Sequence, residues 1–211
     1  MHCLGQESLT VPRSTLTALP DAGRVPGASP ASALQAAGQH LPAWVLADLR
    51  TDHAGEVGAV CIYQGVLRLA RDPALRAFAQ HHLATEQRHL SQIEAWLPPA
   101  HHSRLLPLWR LAGFLTGALP ALLGPRAVYA TIEAVETFVD LHYDEQIRAL
   151  SSQPALDALR QTLQDCQADE VAHRNEAADA RGPGKPGLAL RAWCALVSTG
   201  SRSAVAVCRH F

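Results

Sequence analysis

Four glutamates lie on four different helical segments, at positions where an apolar stripe should continue. Leu159, Leu163 and Cys166 recur at helical spacing, and Glu170 and His173 continue the same face. Each of three other segments carries one such glutamate: Glu56, Glu86 and Glu136. Burying an isolated carboxylate costs several kcal/mol unless it is paired or bound to a metal. The chain must therefore fold so that these acidic groups are compensated together.

Two of the glutamates are followed three residues later by a histidine. Glu86 precedes His89 and Glu170 precedes His173, and residues three apart on a helix have Cβ atoms about 5–6 Å apart. Each pair can therefore bind one ion, and two divalent cations would balance four carboxylates. This pattern matches the known ligand set of ferritin-like di-iron and di-manganese proteins. It predicts six metal ligands: Glu56, Glu86, His89, Glu136, Glu170 and His173. The alternative is surface glutamates and unrelated histidines on ordinary amphipathic helices.

Helical periodicity, interrupted by proline and glycine, predicts six helices and no strand after residue 43. They are expected at Trp44 to Arg71, Pro73 to about Leu97, Arg104 to Leu123, Pro125 to Leu150, Pro154 to Arg181, and from Gly187 onward. The fold class is all-α, a ferritin-like four-helix di-iron bundle with two additional apolar helices, the third and the sixth. We expect one domain over residues 43–211. The Pro-, Gly- and Ser-rich residues 1–42 are interpreted as a disordered leader or a misassigned start.

Composition excludes several classes of partner and site. The 18 Lys+Arg residues are balanced by 19 Asp+Glu, so no nucleic acid is expected as a partner. Five cysteines without a C-x-x-C favour neither a disulfide framework nor a cysteine-ligated zinc site.

The third and sixth helices carry no proposed ligand. Their regions, near 104–123 and 187–208, contain arginine and tryptophan but no acidic residue. This pattern favours docking on an anionic membrane surface, with no helix predicted to span the bilayer. Alternatively, the two helices cover the bundle or form a dimer interface.

Three motifs, in order along the chain, carry a family resemblance. Arg50-Thr51-Asp52-His53-Ala54-Gly55-Glu56 is followed by Ile62-Tyr63, then Ala134-Val135-Glu136 by His142-Tyr143 and Gln146, and then Asp169-Glu170 by His173. From about residue 45 onward the chain resembles the demethoxyubiquinone hydroxylase family of ubiquinone biosynthesis. It departs at Thr137, where the family often has a second glutamate, which raises the question whether Glu133 assists or replaces Glu136.

The resemblance implies a di-iron monooxygenase that hydroxylates the quinol ring of demethoxyubiquinol with O₂. It implies two iron ions per chain, although manganese would accept much the same ligands. Glu56 and His89 would be terminal ligands of one ion, Glu136 and His173 of the other, and Glu86 and Glu170 would bridge.

Other residues receive weaker assignments from the same resemblance. His142 and Tyr143 would position the substrate or relay protons, although Tyr143 could equally serve packing. Asp52 and Asp169 are candidates for orienting the ligand histidines, or are solvated surface acids.

The implied setting is the cytoplasmic face of a bacterial cell membrane, or alternatively the matrix face of the mitochondrial inner membrane. The expected partners are a polyprenyl quinol, O₂ and other ubiquinone-biosynthesis proteins. The rival functions are a ferritin-like ferroxidase or peroxidase, and a non-enzymatic membrane-associated helical bundle.

Overall fold

A computed structural model describes residue 30 and residues 40–211 of the chain. Between residues 40 and 211 it contains six α-helices and no strand, which confirms the all-α prediction. The helices are α1 Ala43–Leu69, α2 Pro73–Glu94, α3 Leu106–Leu123, α4 Pro125–Leu150, α5 Asp157–Arg181 and α6 Leu188–Cys208. The predicted leader, residues 1–42, lies almost entirely outside the described residues.

The helix boundaries follow the sequence signals closely. The Asp72 carboxylate accepts a hydrogen bond from the Leu75 amide at 2.8 Å and caps α2, as expected for an N-cap followed by proline. Gly124 separates α3 from α4 with a φ of 103°, which glycine adopts without a steric penalty. The fifth helix begins later than predicted, because Pro154–Leu156 form a short 3₁₀ turn before it.

Helices α1, α2, α4 and α5 form a bundle whose interior has three layers. One apolar cluster joins Val45, Leu49, Ile93, Leu97, Leu150, Leu159 and Leu163 at one end. A second joins Ile62, Val66, Leu75, Ala79, Val128, Ile132 and Ala177 at the other. On all four helices the proposed ligands fall between the residues of the two clusters. The fold therefore places a charged layer in the middle of an otherwise apolar core.

Helices α3 and α6 lie outside this bundle, where α3 packs on α1 and α6 packs on α4. The crossing of α3 over α1 is unusually close. A Cβ atom at Gly113 would overlap the backbone oxygen of Gly58, and one at Gly117 would overlap that of Ile62. Only glycine permits this backbone approach, so these two positions fix how near α3 lies to α1, which carries the proposed ligand Glu56.

Much of α3 remains exposed. Five leucines at spacings of three and four share one exposed face: Leu108, Leu111, Leu115, Leu119 and Leu122. With 18 residues, α3 is long and apolar enough to cross a membrane by length and composition alone, and 22% of it is buried. These two properties do not separate a spanning helix from one that lies on a surface.

Candidate metal centre

The six side chains predicted as ligands converge in the middle layer of the bundle, and each is at most 4% exposed. They form two groups, and within each group one ligand atom from every residue lies within 4.8 Å of those of the others. One group contains Glu56, Glu86, His89 and Glu170, and the other contains Glu86, Glu136, Glu170 and His173. The groups share Glu86 and Glu170. Each group can hold a metal ion, and the shared carboxylates have the placement that bridging ligands would need.

The antiparallel helices α2 and α5 bring the two Glu-x-x-His pairs face to face. His89 Nδ1 lies 3.0 Å from Glu170 Oε1, and His173 Nδ1 lies 3.1 Å from Glu86 Oε1. Each histidine is therefore nearest to a glutamate of the opposite helix. Within one helix the corresponding distances are 3.7 Å for His89 to Glu86 and 3.2 Å for His173 to Glu170.

Several atoms of this layer lack a hydrogen-bond partner although they are fully buried. They are Glu56 Oε2, Glu86 Oε1, Glu170 Oε2 and His173 Nδ1. His173 Nδ1 lies 3.1 Å from Glu86 Oε1 and 3.2 Å from Glu170 Oε2, but neither contact meets hydrogen-bond geometry. Buried polar atoms are nearly always partnered. Oxygen and nitrogen atoms that lie close together without hydrogen-bond alignment are expected where their lone pairs face a shared cation. The residues present therefore fit a metal ion.

Without a cation, bound protons compensate the negative charge of the buried carboxylates in the middle layer. Burial, together with neighbouring carboxylates, raises the pKa of Glu56 and Glu136 well above the usual range. Burial alone would raise the pKa of Glu86, but contacts with both histidines lower it to about 2. Burial alone would lower the histidine pKa values, but the carboxylates raise that of His89 far above its usual range and that of His173 to about 9. A metal ion must therefore displace protons when it binds.

Two tyrosine hydroxyls contact the two unshared glutamates across the bundle. Tyr143 of α4 donates to Glu56 Oε1 at 2.6 Å, and Tyr63 of α1 donates to Glu136 Oε1 at 3.5 Å. Each tyrosine lies seven residues after the glutamate of its own helix. Both tyrosines belong to the motifs that carry the family resemblance, and their equal spacing is the signal that could have paired each with the opposite glutamate.

The two aspartates beside the ligand motifs have different environments. Asp169 Oδ2 lies 3.0 Å from His89 Nε2 and also accepts from Arg88 at 2.6 Å, so it is placed to orient the ring. Asp52 instead accepts from Gln146 at 2.7 Å. The same polar cluster around Asp52 includes His142, whose Nε2 lies 3.2 Å from Asp52 Oδ1 and 3.0 Å from the Thr51 hydroxyl.

The departure from the family pattern lies outside the metal layer. The exposed Thr137 donates its hydroxyl proton to the backbone oxygen of Glu133 at 2.6 Å. The Glu133 carboxylate accepts from Arg181 at 2.7 Å and belongs to neither of the two ligand groups. In this structure the Glu133 carboxylate therefore contacts Arg181 and not the groups that contain Glu136.

A cavity of about 400 Å³ extends from the ligand layer between α1, α4, α3 and α6. Its floor includes Glu56, Glu86, Glu136 and Glu170, while His142 and Tyr143 lie in its wall. The outer lining is largely apolar and includes Trp109, Trp193, Leu196 and Val205. The two additional helices thus complete a passage from the protein surface to the buried carboxylates.

Comparison with known proteins identifies relatives over most of the described chain. Residues 44–208 match the family model described as ubiquinone biosynthesis protein COQ7. A 3-demethoxyubiquinol 3-hydroxylase of Rhodospirillum rubrum is 39% identical over 130 residues, which cover 60% of each chain. A mitochondrial NADPH-dependent 3-demethoxyubiquinone 3-hydroxylase of Rattus norvegicus is 35% identical over 132 residues, again covering 60% of each.

A further relative aligns over a longer region. The mitochondrial NADPH-dependent 3-demethoxyubiquinone 3-hydroxylase of Caenorhabditis elegans is 28% identical over 164 residues, which are 75% of this chain and 86% of the relative. Against the bacterial and rat proteins, the chain spans about 60% of the relative's length. Relatives thus occur in bacteria and in mitochondria.

Proposed function

Because the chain belongs to the family of ubiquinone biosynthesis protein COQ7, we propose that it is a di-iron monooxygenase of ubiquinone biosynthesis. Its substrate is the quinol ring of a demethoxyubiquinol intermediate, and its second substrate is O₂. One observation carries the proposal. Six buried carboxylate and imidazole groups form two ligand sets that share two glutamates, at the inner end of an apolar cavity.

The centre would take two iron ions. Glu56 and His89 would hold one, Glu136 and His173 would hold the other, and Glu86 and Glu170 would bridge them, since these two belong to both groups. Two divalent cations neutralise four carboxylates, which supplies the compensation that their burial requires. When bound, the iron supplies the redox chemistry with O₂, and the protein supplies binding, orientation and exclusion of water.

The cavity would bind the quinol with its ring toward the carboxylates and its prenyl chain along the apolar walls. His142 reaches the cavity with its Nε2 held by Thr51 and Gln146, so we assign it to positioning a ring oxygen or relaying its proton. Tyr143 would keep its hydroxyl proton and donate it in the hydrogen bond to Glu56 Oε1. This bond stabilises the ionised carboxylate and thereby the ligand form of Glu56.

A polyprenyl substrate resides in lipid, and the apolar face of α3 supports peripheral docking on a membrane surface. Its exposed leucines lie beside the cavity wall, which α3 and α6 complete. We therefore propose that helices near 104–123 and 187–208 contact the cytoplasmic face of a bacterial membrane, or the matrix face of the mitochondrial inner membrane. Flotation with anionic liposomes tests this docking, and protein that stays at the bottom of the gradient would contradict it.

Complementation tests the activity most directly. Expression of the chain in a strain blocked at this hydroxylation should restore ubiquinone and remove the accumulated demethoxy precursor. Glu86→Ala and His173→Ala should fail to do so and should lose the bound iron, which is expected at about two ions per chain in the wild type. Glu145→Ala, at an exposed position of α4, is the matched control and should complement.

Two outcomes would replace the proposal. A folded, iron-loaded protein that oxidises Fe(II) or reduces peroxide without restoring ubiquinone would indicate a ferroxidase or peroxidase. A metal-free protein that complements fully would remove the di-iron assignment.

A further inference from the structure

The face-to-face pairing of α2 and α5 continues one helical turn beyond the proposed iron ligands. His89 faces Glu170, Glu86 faces His173, and His82 faces Glu176 in the same antiparallel register. His82 Nε2 lies 2.8 Å from Glu176 Oε2. This third pair lies toward the N-terminal end of α2, next to His173, whose ring centroid is 4.1 Å from that of His82.

His82 is buried to 1% exposure, yet neither of its ring nitrogens has a hydrogen-bond partner among the described residues. The contact with Glu176 is short but does not meet hydrogen-bond geometry. The ring is held by aromatic neighbours, with Phe78 edge-on at 4.2 Å and Tyr63 at 5.8 Å between centroids. A buried imidazole that is oriented by packing and lacks a hydrogen-bond partner is suited to act as a ligand.

The neighbouring His81 brings a second imidazole to the same place. One ligand atom from each of His81, His82 and Glu176 lies within 4.8 Å of the others. His81 is exposed, and the Glu176 side chain is 57% exposed, so the cluster opens to solvent on the side away from His82.

We propose that His81, His82 and Glu176 form a third metal site, separate from the two buried groups, that binds one divalent transition-metal ion. Two imidazoles and one carboxylate are a ligand set that both Fe(II) and Zn(II) accept. The exposed side leaves the remaining coordination positions to water, so the ion is exchangeable.

The location gives this site a role in metal loading, an inference that rests on the proposed di-iron centre. The site joins solvent at His81 and Glu176 to the ring of His173, a proposed iron ligand. An Fe(II) ion held there lies about one helical turn, ~5.4 Å along the helix axis, from the nearest buried ligand pair. The third site is therefore an entry site for the ions of the buried centre.

Zinc binding to the full-length, metal-depleted protein tests the site itself. His81→Gln and Glu176→Gln should each reduce the zinc bound at saturation by about one ion per chain, or weaken the affinity for that ion at least about tenfold. Both positions are exposed, so these variants should fold. His210→Gln and Glu145→Gln, at exposed positions outside the cluster, should bind as the wild type does. Unchanged zinc stoichiometry and affinity in both test variants would overturn the proposal.

Anaerobic Fe(II) uptake tests the entry role separately. In Glu176→Gln, uptake should be slower than in Glu145→Gln while reaching the same final content in the buried centre. Equal uptake rates would overturn the entry role. If the wild type bound no iron in the buried centre, the proposed function would fail, whereas the zinc difference would still report on the third site.

Discussion

Removal of the metal and a rise in pH should together destabilise the bundle. In the metal-free protein, burial and neighbouring carboxylates raise the pKa of Glu56 and Glu136. Carboxylates around His173 raise its pKa from 6.5 to about 9. A raised pKa in the folded state means that the stabilisation is complete below the unfolded-state value and is lost as pH rises through the folded value. All three groups therefore act in the same direction.

His173 alone gives a measurable effect. It is 4% exposed, and the rise in its pKa from 6.5 to about 9 corresponds to about 3 kcal/mol, at about 1.4 kcal/mol per pKa unit. This free energy should be lost between pH 6.5 and pH 9. Total unfolding free energies are about 5–15 kcal/mol, so the loss is a large part of the stability. Glu86 acts oppositely, because its lowered pKa stabilises above pH 4.5 and that contribution is lost as pH falls toward 2.

Urea unfolding of the chelator-treated protein at pH 6.5, 7.5 and 9 measures how steeply its free energy of unfolding falls with pH. The metal-loaded protein is the reference, because two cations replace the protons and its free energy of unfolding should not fall over this range. His173→Gln should reduce the slope of the metal-free protein, and His210→Gln should leave it unchanged. A metal-free protein whose free energy of unfolding is constant or rises from pH 6.5 to 9 would refute the shared charged layer.

Three further predictions, tested by five substitutions, concern the packing and the charged layer around the centre. Gly117→Ala should lower the free energy of unfolding by about 2 kcal/mol, because the added Cβ overlaps the backbone of α1. Gly200→Ala, which has open space around it, should raise the free energy of unfolding by up to about 1 kcal/mol. Thermal unfolding measures both changes. Asp169→Asn removes the carboxylate placed to orient His89, the proposed ligand of α2, and should weaken metal affinity about 10–100-fold in a competition titration. Tyr143→Phe should lower kcat/KM for the quinol about tenfold, and Tyr63→Phe less, because its bond is longer; equal losses would contradict this ranking.

The sequence was sufficient to predict the helices and the convergence of the six acidic and imidazole groups. Periodicity and proline placement depend on local backbone chemistry, so the helix boundaries were recovered within a few residues. The convergence was predictable for an energetic reason, since glutamates on an apolar stripe such as Glu86 and Glu170 must share compensation. The equal three-residue spacing to His89 and His173 then indicated the ligand partners.

Features that depend on contacts between helices could not be predicted from the sequence. Gly113 and Gly117 are spaced four residues apart, as in helices that pack at backbone distance, but the sequence does not show that their partner is α1. The pairing of His82 with Glu176 likewise requires the register of α2 against α5. The contact of Glu133 with Arg181 likewise depends on how α4 packs on α5.

If the charged layer binds metal as proposed, loss of the ions should loosen the cavity wall before it loosens the two apolar ends of the bundle. The apolar clusters at the two ends bury their side chains whether or not a cation is present, so they can hold the four helices together. The charged layer between them needs either cations or protons for its compensation, and its unshared glutamates, Glu56 and Glu136, belong to α1 and α4. The same helices form the inner cavity wall. Loss of metal should therefore increase amide hydrogen exchange first in the middle of α1 and α4, while the ends near Val45 and Val128 stay protected. Uniform deprotection along all four helices would show instead that the layer stabilises the whole bundle.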